Sequence, residues 1–312
     1  MVDIVIAIPT FKRPVPLAAA LEAVLPQARD LSDVVPGARA TVLVVDNDPN
    51  EGGRSIAASF DVRYAVEPTP GIAAVRNRSI AESADADAVL FIDDDEVPEP
   101  GWLEAIARMY TTTSCDAVAG RVVTSFPPDA EPWVRASGAF IRPVRRDGQL
   151  MREAATNNLL LDLARVRELG LSFDERFGLT GGSDSMFTRQ FTQRGGKLRW
   201  AQDAVVIEQE DPARFTREWV LMRTFRFGNT AARVDIATAG SSGRRLVARI
   251  RTVARGGVRV VAGGLRWVWG AVTGSLSHRA RGLRTLYRGG GMVTGAVGYA
   301  HDEYSRRHTP GT

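Results

Sequence analysis

Short apolar runs alternate with amphipathic stretches through the first half of the chain. Asp3–Ile8 is a β-branched run closed by Pro9-Thr10, after which Leu17, Leu21, Val24 and Leu25 recur at helical spacing. Thr41–Val45 predicts a second strand, ended by the turn former Asp46-Asn47-Asp48-Pro49, and Val62–Val66 a third, ended by Pro68-Thr69-Pro70-Gly71. A helix is expected over residues 72–84, a fourth strand over Ala88–Ile92 and a further helix over 100–109. This alternation predicts a doubly wound, mostly parallel α/β sheet flanked by helices.

The rhythm breaks after a strand near Ala117–Val123. Residues 124–151 carry several prolines and no period, and read as an irregular insertion. Thr156–Leu161 predicts a strand, Leu163–Leu169 a short helix, and Leu198-Arg199-Trp200 and Ala204–Ile207 two late strands. Between them, Gly178 to Ser185 reads as a glycine loop whose Ser and Asp residues suit the start of a helix over Met186–Gln193. Phe215–Ala232 reads as an amphipathic helix. Beyond Ser241, apolar residues among arginines (Leu246, Val247, Ile250, Val253, Val258) again fall at roughly helical spacing.

Charge divides the chain more sharply than its total suggests. The net charge is +4 over 312 residues, yet Ile236–His301 holds eleven arginines and no Asp or Glu. Residues 236–312 sum to +11, from thirteen Arg against Asp302 and Glu303, which leaves −7 for the first 235. The expected division is therefore an acidic globular domain over 1–235 and a basic helical region over 236–312. Arginine interspersed with Val, Leu and Trp reads as a membrane-surface element attracted to anionic lipid. The alternative is basic helices packed on the acidic body. No recognised nucleic-acid motif accompanies the charge, so nucleic acid is the weakest partner class.

The single cysteine, Cys115, permits no internal disulfide and reads as a small buried apolar residue in a reducing, cytoplasmic setting. No basic leader precedes an apolar stretch at the start, so no signal peptide is expected. No uncharged apolar run reaches the roughly 18 residues needed to span a bilayer.

The most informative chemistry is Val89-Leu90-Phe91-Ile92-Asp93-Asp94-Asp95, a buried strand with three carboxylates at its exit. Adjacent like charges repel, and a hard divalent cation shared with substrate phosphates relieves them. The bland alternative is an acidic solvated turn. Strand ends at Pro9-Thr10-Phe11-Lys12-Arg13 and Asp46-Asn47-Asp48 would converge on the same sheet edge, where ligands of parallel α/β sheets bind.

Five motifs in order resemble glycosyltransferase family 2, whose members are inverting enzymes of GT-A fold. They are Ile6-Ala-Ile-Pro-Thr10-Phe-Lys-Arg13, Val44-Val-Asp46-Asn47, Pro70-Gly71-Ile-Ala-Ala-Val-Arg76-Asn77, Phe91-Ile-Asp93-Asp94-Asp95 and Gly181-Gly-Ser-Asp184. Trp219 and Arg223-Thr-Phe-Arg226-Phe-Gly228 follow at the expected distance. The resemblance covers about residues 3–232.

The resemblance implies that Pro9, Thr10, Phe11, Arg13, Asp46, Arg76, Asp93 and Asp94 bind a nucleotide sugar, with UDP-sugars favoured. Asp95 and Asp93 match the family's Asp-x-Asp motif and would hold Mg²⁺ or Mn²⁺. Asp184 would be the base that takes the proton of the acceptor hydroxyl, or alternatively a helix cap, and one carboxylate there can serve both purposes. Gly182, Ser183, Trp200, Trp219 and Arg226 would line the acceptor side, with core packing the alternative for the tryptophans.

Two positions depart from the pattern. Ser183 stands where members often carry Glu, and Glu208 where many carry a metal-binding His. Glu208 is either a substitute oxygen ligand or a surface acid. The histidines His278, His301 and His308 all fall in the basic region and form no metal set. The implied function is inverting sugar transfer to a hydroxyl of a glycan or lipid-linked glycan, in polysaccharide or cell-envelope synthesis. The enzyme would be cytoplasmic, peripheral on the inner membrane face. One rival is a nucleotidyltransferase, which usually begins with a glycine-rich, triphosphate-gripping loop where this chain has Pro9-Thr10-Phe11. The other is a non-catalytic carbohydrate-binding or membrane scaffold.

Overall fold

The computed structural model describes residues 1–177 and 181–299. In chain order the elements are β1 (Val2–Thr10), α1 (Pro14–Val34), β2 (Ala38–Asp46), α2 (Arg54–Ser59), β3 (Arg63–Val66), α3 (Ile72–Glu82), β4 (Ala88–Ile92), β5 (Glu96–Pro98) and α4 (Trp102–Thr112). Then follow β6 (Ala117–Thr124), α5 (Pro132–Ser137), β7 (Leu150–Met151), β8 (Asn158–Asp162), α6 (Leu163–Glu168), α7 (Ser183–Gln193) and β9 (Leu198–Glu208). Three long helices close the chain: α8 (Arg217–Ala237), α9 (Ser242–Val272) and α10 (Leu276–Ala296).

Two compact units emerge. The first takes residues 1–125, 142–177 and 183–209, and the second 126–141, 181–182 and 210–299. The sequence pattern puts a boundary after residue 235. The structure instead groups α8 with α9 and α10, because α8 packs along α10.

All the strands lie in the first unit, in the order β3-β2-β1-β4-β8-β6-β9-β5, with β7 paired to β9. Strands β1, β2, β3 and β4 pair in parallel, as the alternation predicts. Beyond β4 the sheet is mixed: β8 runs antiparallel to β4 and β6, while β6 and β9 are parallel. The α/β class stands, with parallel pairing concentrated in the first half. The two expected late strands are one, β9, whose pairing with β6 shifts register between Gly120 and Arg121.

Both faces of the sheet are covered, so its central strands are apolar throughout rather than alternating. On β1, Ile4, Ile6 and Ile8 cluster with Leu17, Leu21, Val24 and Leu31 of α1. Ala7 joins the opposite cluster with Phe91, Phe173 and Phe187. That layering carries the polar exits of β1, β2 and β4 to one edge.

In the second unit, helices approach through glycine. Thr252, Gly256, Gly263 and Gly270 are the buried residues of α9. A Cβ on Gly263 would stand 2.5 Å from Leu286 N, and one on Gly291 would stand 2.0 Å from Phe225 O. Side chains do not fit between these backbones. A smaller cluster of Ala130, Val134, Phe140, Phe215 and Val220 closes around α5, with Phe140 stacked on Trp219 at 5.8 Å.

Candidate active site

Strand β4 is five fully buried apolar residues, so the chain leaves the core abruptly at Asp93. Asp94 is 5% exposed and fixed by two partners. Thr10 Oγ1 donates to its Oδ2 at 2.7 Å, and Arg13 Nη1 donates to its Oδ1 at 3.1 Å. The same Arg13 nitrogen reaches Asp95 Oδ2 at 2.7 Å. Arg13 and Thr10 therefore tie the end of β1 to the acidic run. Thr10 is also the register partner of Asp46 on β2, which makes one continuous polar edge across three strands.

Asp93 differs from its neighbours. Its backbone N–H donates to Glu96 Oε2 at 3.0 Å, but no described residue donates to its carboxylate. Burial raises its pKa well above the ordinary carboxylate value. Nearby Arg76 opposes the rise, while Asp95, Asp94 and Glu208 reinforce it. Asp94 is pushed up to about 6, again mainly by burial, against the pull of Arg13 and Thr10. These are the conditions a divalent cation relieves, and the donors available are all oxygen. Among the described residues, no three or more His, Cys, Asp or Glu side chains form a ready cage. Mg²⁺ and Mn²⁺ suit a site of one or two carboxylates completed by substrate phosphate and water.

Arg76, in the first half of α3, is 7% exposed. Its Nη1 donates to Ser183 Oγ at 3.1 Å, and its guanidinium lies 5.6 Å from the Phe173 ring centroid. Both are uncharged partners, so its positive charge serves the Asp93 cluster. Asp184 sits next to Ser183 in the first turn of α7, which begins three residues earlier than the pattern predicts. Its Oδ1 accepts from Ser185 N at 2.7 Å. No described residue donates to Oδ2.

Asp46 is fully buried and holds its own loop. Oδ1 accepts from Asp48 N, and Oδ2 from Gly53 N and Tyr64 Oη, each at 2.8 Å. Asn47 clamps the next loop, donating to Glu67 O and Thr69 O and accepting from Gly71 N. Pro9 is buried, whereas Phe11 is 36% exposed at the lip.

Glu208 is buried rather than a surface acid. Arg142 Nη2 donates to its Oε1 and Thr124 Oγ1 to its Oε2, both at 2.7 Å. Trp200 is 9% exposed in the core cluster with Phe187 and Phe191. Trp219 and Arg226 lie in the second unit, where the Arg226 guanidinium is 6.0 Å from the Trp219 ring. Gly182 also belongs there. Its φ of +95° and a Cβ position 2.3 Å from Thr230 Cγ2 exclude any side chain. The start of the predicted glycine loop, residues 178–180, lies outside the described residues, as do His301 and His308.

Sequence reasoning missed Glu96. This carboxyl is fully buried, accepts from Asn157 Nδ2 at 2.7 Å and stands opposite Glu208 in the β5–β9 register. Burial and the neighbouring Asp93 raise its pKa far above the normal range. A fourth acid directly after three was the available signal.

Residues 5–162 match the family model described as Glycosyl transferase family 2. The chain belongs to this family. Among curated relatives, the succinoglycan biosynthesis protein ExoM of Rhizobium meliloti is 32% identical over 205 residues, 63% of this chain and 65% of that protein. Glycosyltransferase AglE of Haloferax volcanii is 29% identical over 203 residues, 63% of this chain and 64% of that one. The match thus spans slightly less than two thirds of either relative. Among solved structures, S. aureus TarS 1-349 superposes with a TM-score of 0.53 at 14% identity, covering 90% of this chain and 89% of that one. Its complex with UDP-GlcNAc gives 0.51 at 12% identity, with 90% of each chain covered. At such identity the likeness is one of fold, and that fold is GT-A.

Proposed function

We propose that the enzyme moves a sugar from a UDP-sugar to a hydroxyl of a glycan or lipid-linked glycan, inverting the anomeric carbon. The observation that carries this reading is Asp93: a crowded carboxylate to which no described residue donates, with buried Arg76 close by. Asp93 and Asp95 would hold Mg²⁺ or Mn²⁺. When bound, such an ion supplies Lewis-acid neutralisation of the departing diphosphate. Glu208 is less suited to join them, since both its oxygens already serve Arg142 and Thr124.

The remaining roles follow from side chains of this chain. Arg76 offers a permanent charge and donors in a planar fork, which suit phosphate oxygens. Asp46 has about four lone-pair sites as a carboxylate, and three are filled by its own loop and Tyr64. The one left on Oδ1 can accept from a base N–H. Asp184 Oδ2 takes the acceptor's proton as the acceptor oxygen attacks the anomeric carbon and the bond to the diphosphate breaks. Direct displacement of this kind inverts the centre.

The TarS 1-349 complex with UDP-GlcNAc supports a uridine nucleotide donor, and the succinoglycan role in ExoM's name supports a glycan acceptor. The single cysteine suits a reducing, cytoplasmic setting. A thermal-shift screen of UDP-, GDP-, dTDP- and CMP-linked sugars, with and without Mn²⁺, tests the donor. A rise with a UDP-sugar that needs the metal is expected. Stabilisation by another nucleotide alone, or none by any, would remove the reading.

A further inference from the structure

Helix α9 turns its apolar side away from the helices it packs on. At about 100° per residue, its buried seam of Thr252, Gly256, Gly263 and Gly270 falls within an arc of about 40°. Directly opposite stand Val247, Ile250, Val258, Val261, Leu265 and Val272, between 55% and 77% exposed. On the same wheel, an arc of about 160° around them carries no charged residue. The helix's seven arginines, Arg244 to Arg266, occupy the remaining sectors. Trp269, 61% exposed, lies at the edge of this arc, at the same wheel angle as Arg251 about five turns earlier, and tryptophan favours such an edge at a membrane interface.

The apolar stripe runs the length of a 31-residue helix, about 46 Å at 1.5 Å per residue. Soluble surfaces rarely expose an apolar patch of this extent without a partner. No described helix is long and apolar enough to cross a membrane. We propose that α9 lies in the plane of a bilayer, its apolar face among the acyl chains and its arginines on anionic headgroups. Charge selects this occupant. Residues 236–299 hold no Asp or Glu, so two copies meeting face to face would bring arginine against arginine with nothing to neutralise it. Anionic lipid supplies the missing charge.

Co-sedimentation of the full chain with vesicles tests the proposal, comparing phosphatidylcholine alone with a mixture containing phosphatidylglycerol. The wild type should sediment with the anionic vesicles, less so as salt rises. The double substitution Val258→Glu and Leu265→Glu should weaken partition by at least about tenfold. Both side chains are exposed, so the circular-dichroism melting curve should not move. Should the glutamates disturb folding, Val258→Asn with Leu265→Asn keeps the charge and must still weaken binding. Failure of the wild type to bind, equal binding to both vesicle types, or full binding by a folded variant each overturns the proposal. So does a wild-type dimer, indifferent to vesicles, that the substitutions split in sedimentation velocity.

Discussion

Among the described residues, none donates to Asp184 Oδ2 or to the Asp93 carboxylate, but the two settings differ. Asp184 is half-buried and already bound to Ser185 N through Oδ1, so replacing it with Asn preserves its shape and the start of α7. General-base loss typically costs about 10²–10⁴ in rate. Asp184→Asn should therefore lower the transfer rate by about that factor while leaving the dissociation constant for donor and metal within about threefold. Retained transfer would remove the assignment of the base. Asp93 and Asp94, by contrast, hold protons that a cation must displace. Without metal, their raised pKa values leave them partly protonated in the folded state at pH 5.5, with Asp94 titrating near 6. Raising the pH through that window strips those protons, so Mn²⁺ affinity should climb from pH 5.5 to 7.5 and binding should release protons. Calorimetry in two buffers of different ionisation enthalpy reads both effects. An affinity flat across that range would contradict the site. At this scale the sequence was legible where identity itself carries the chemistry, as in Asp93-Asp94-Asp95. It showed Glu96 only as a fourth acid, not its burial or its place opposite Glu208, and it was mute on Arg142, whose role comes from a contact with Glu208 far along the chain.

Among the elements, strands were easiest to read when burial made them uniformly apolar. Ala88–Ile92 is predicted and observed with the same bounds. Short elements gave no period: α2 and α5 have six residues each, and β5 has three ending in Pro98. The closing helices misled in a different way. Apolar spacing in α9 points to its outward side, whereas the packing runs through glycines that no hydrophobic pattern marks. Those glycines make a prediction of opposite signs. Gly263 and Gly264 are neighbours in α9, but a Cβ meets backbone at 2.5 Å in the first and nothing within 4 Å in the second. Gly264→Ala removes backbone freedom at no steric cost and should stabilise by about 0.5–1 kcal/mol. Gly263→Ala gains the same propensity but forces α9 from α10, for a net loss of about 1–3 kcal/mol. Thermal melts of the two variants on either side of the wild type would establish the seam. Equal shifts of one sign would refute it.

For the whole molecule, the question is where the chain can be cut. Charge and composition change near residue 236, and that change suggests a removable basic tail. The contacts argue otherwise. Helix α8 precedes the change, yet its Asn229 is 1% exposed and donates to Thr294 Oγ1 at 3.3 Å and Tyr299 O at 2.8 Å. A Cβ on Gly228 would fall 2.2 Å from Arg288 O, and one on Gly295 would fall 2.5 Å from Asn229 O, so α8 and α10 touch along their backbones. The segment around α5 joins the same unit, with Arg284 Nη1 donating to Ser137 O at 2.6 Å. Composition marks where charge changes, and packing marks where the chain can be divided. Ending the chain after Ala237 should uncover the α8 face that α10 covers. The shortened protein should bind anilinonaphthalene sulfonate and melt at least about 5 °C lower, since about 1 kcal/mol moves the midpoint of a domain this large by about 2–4 °C. A truncated protein that melts with the full chain and binds no dye would make residues 238–312 a detachable tail, and the catalytic domain would then end near residue 235.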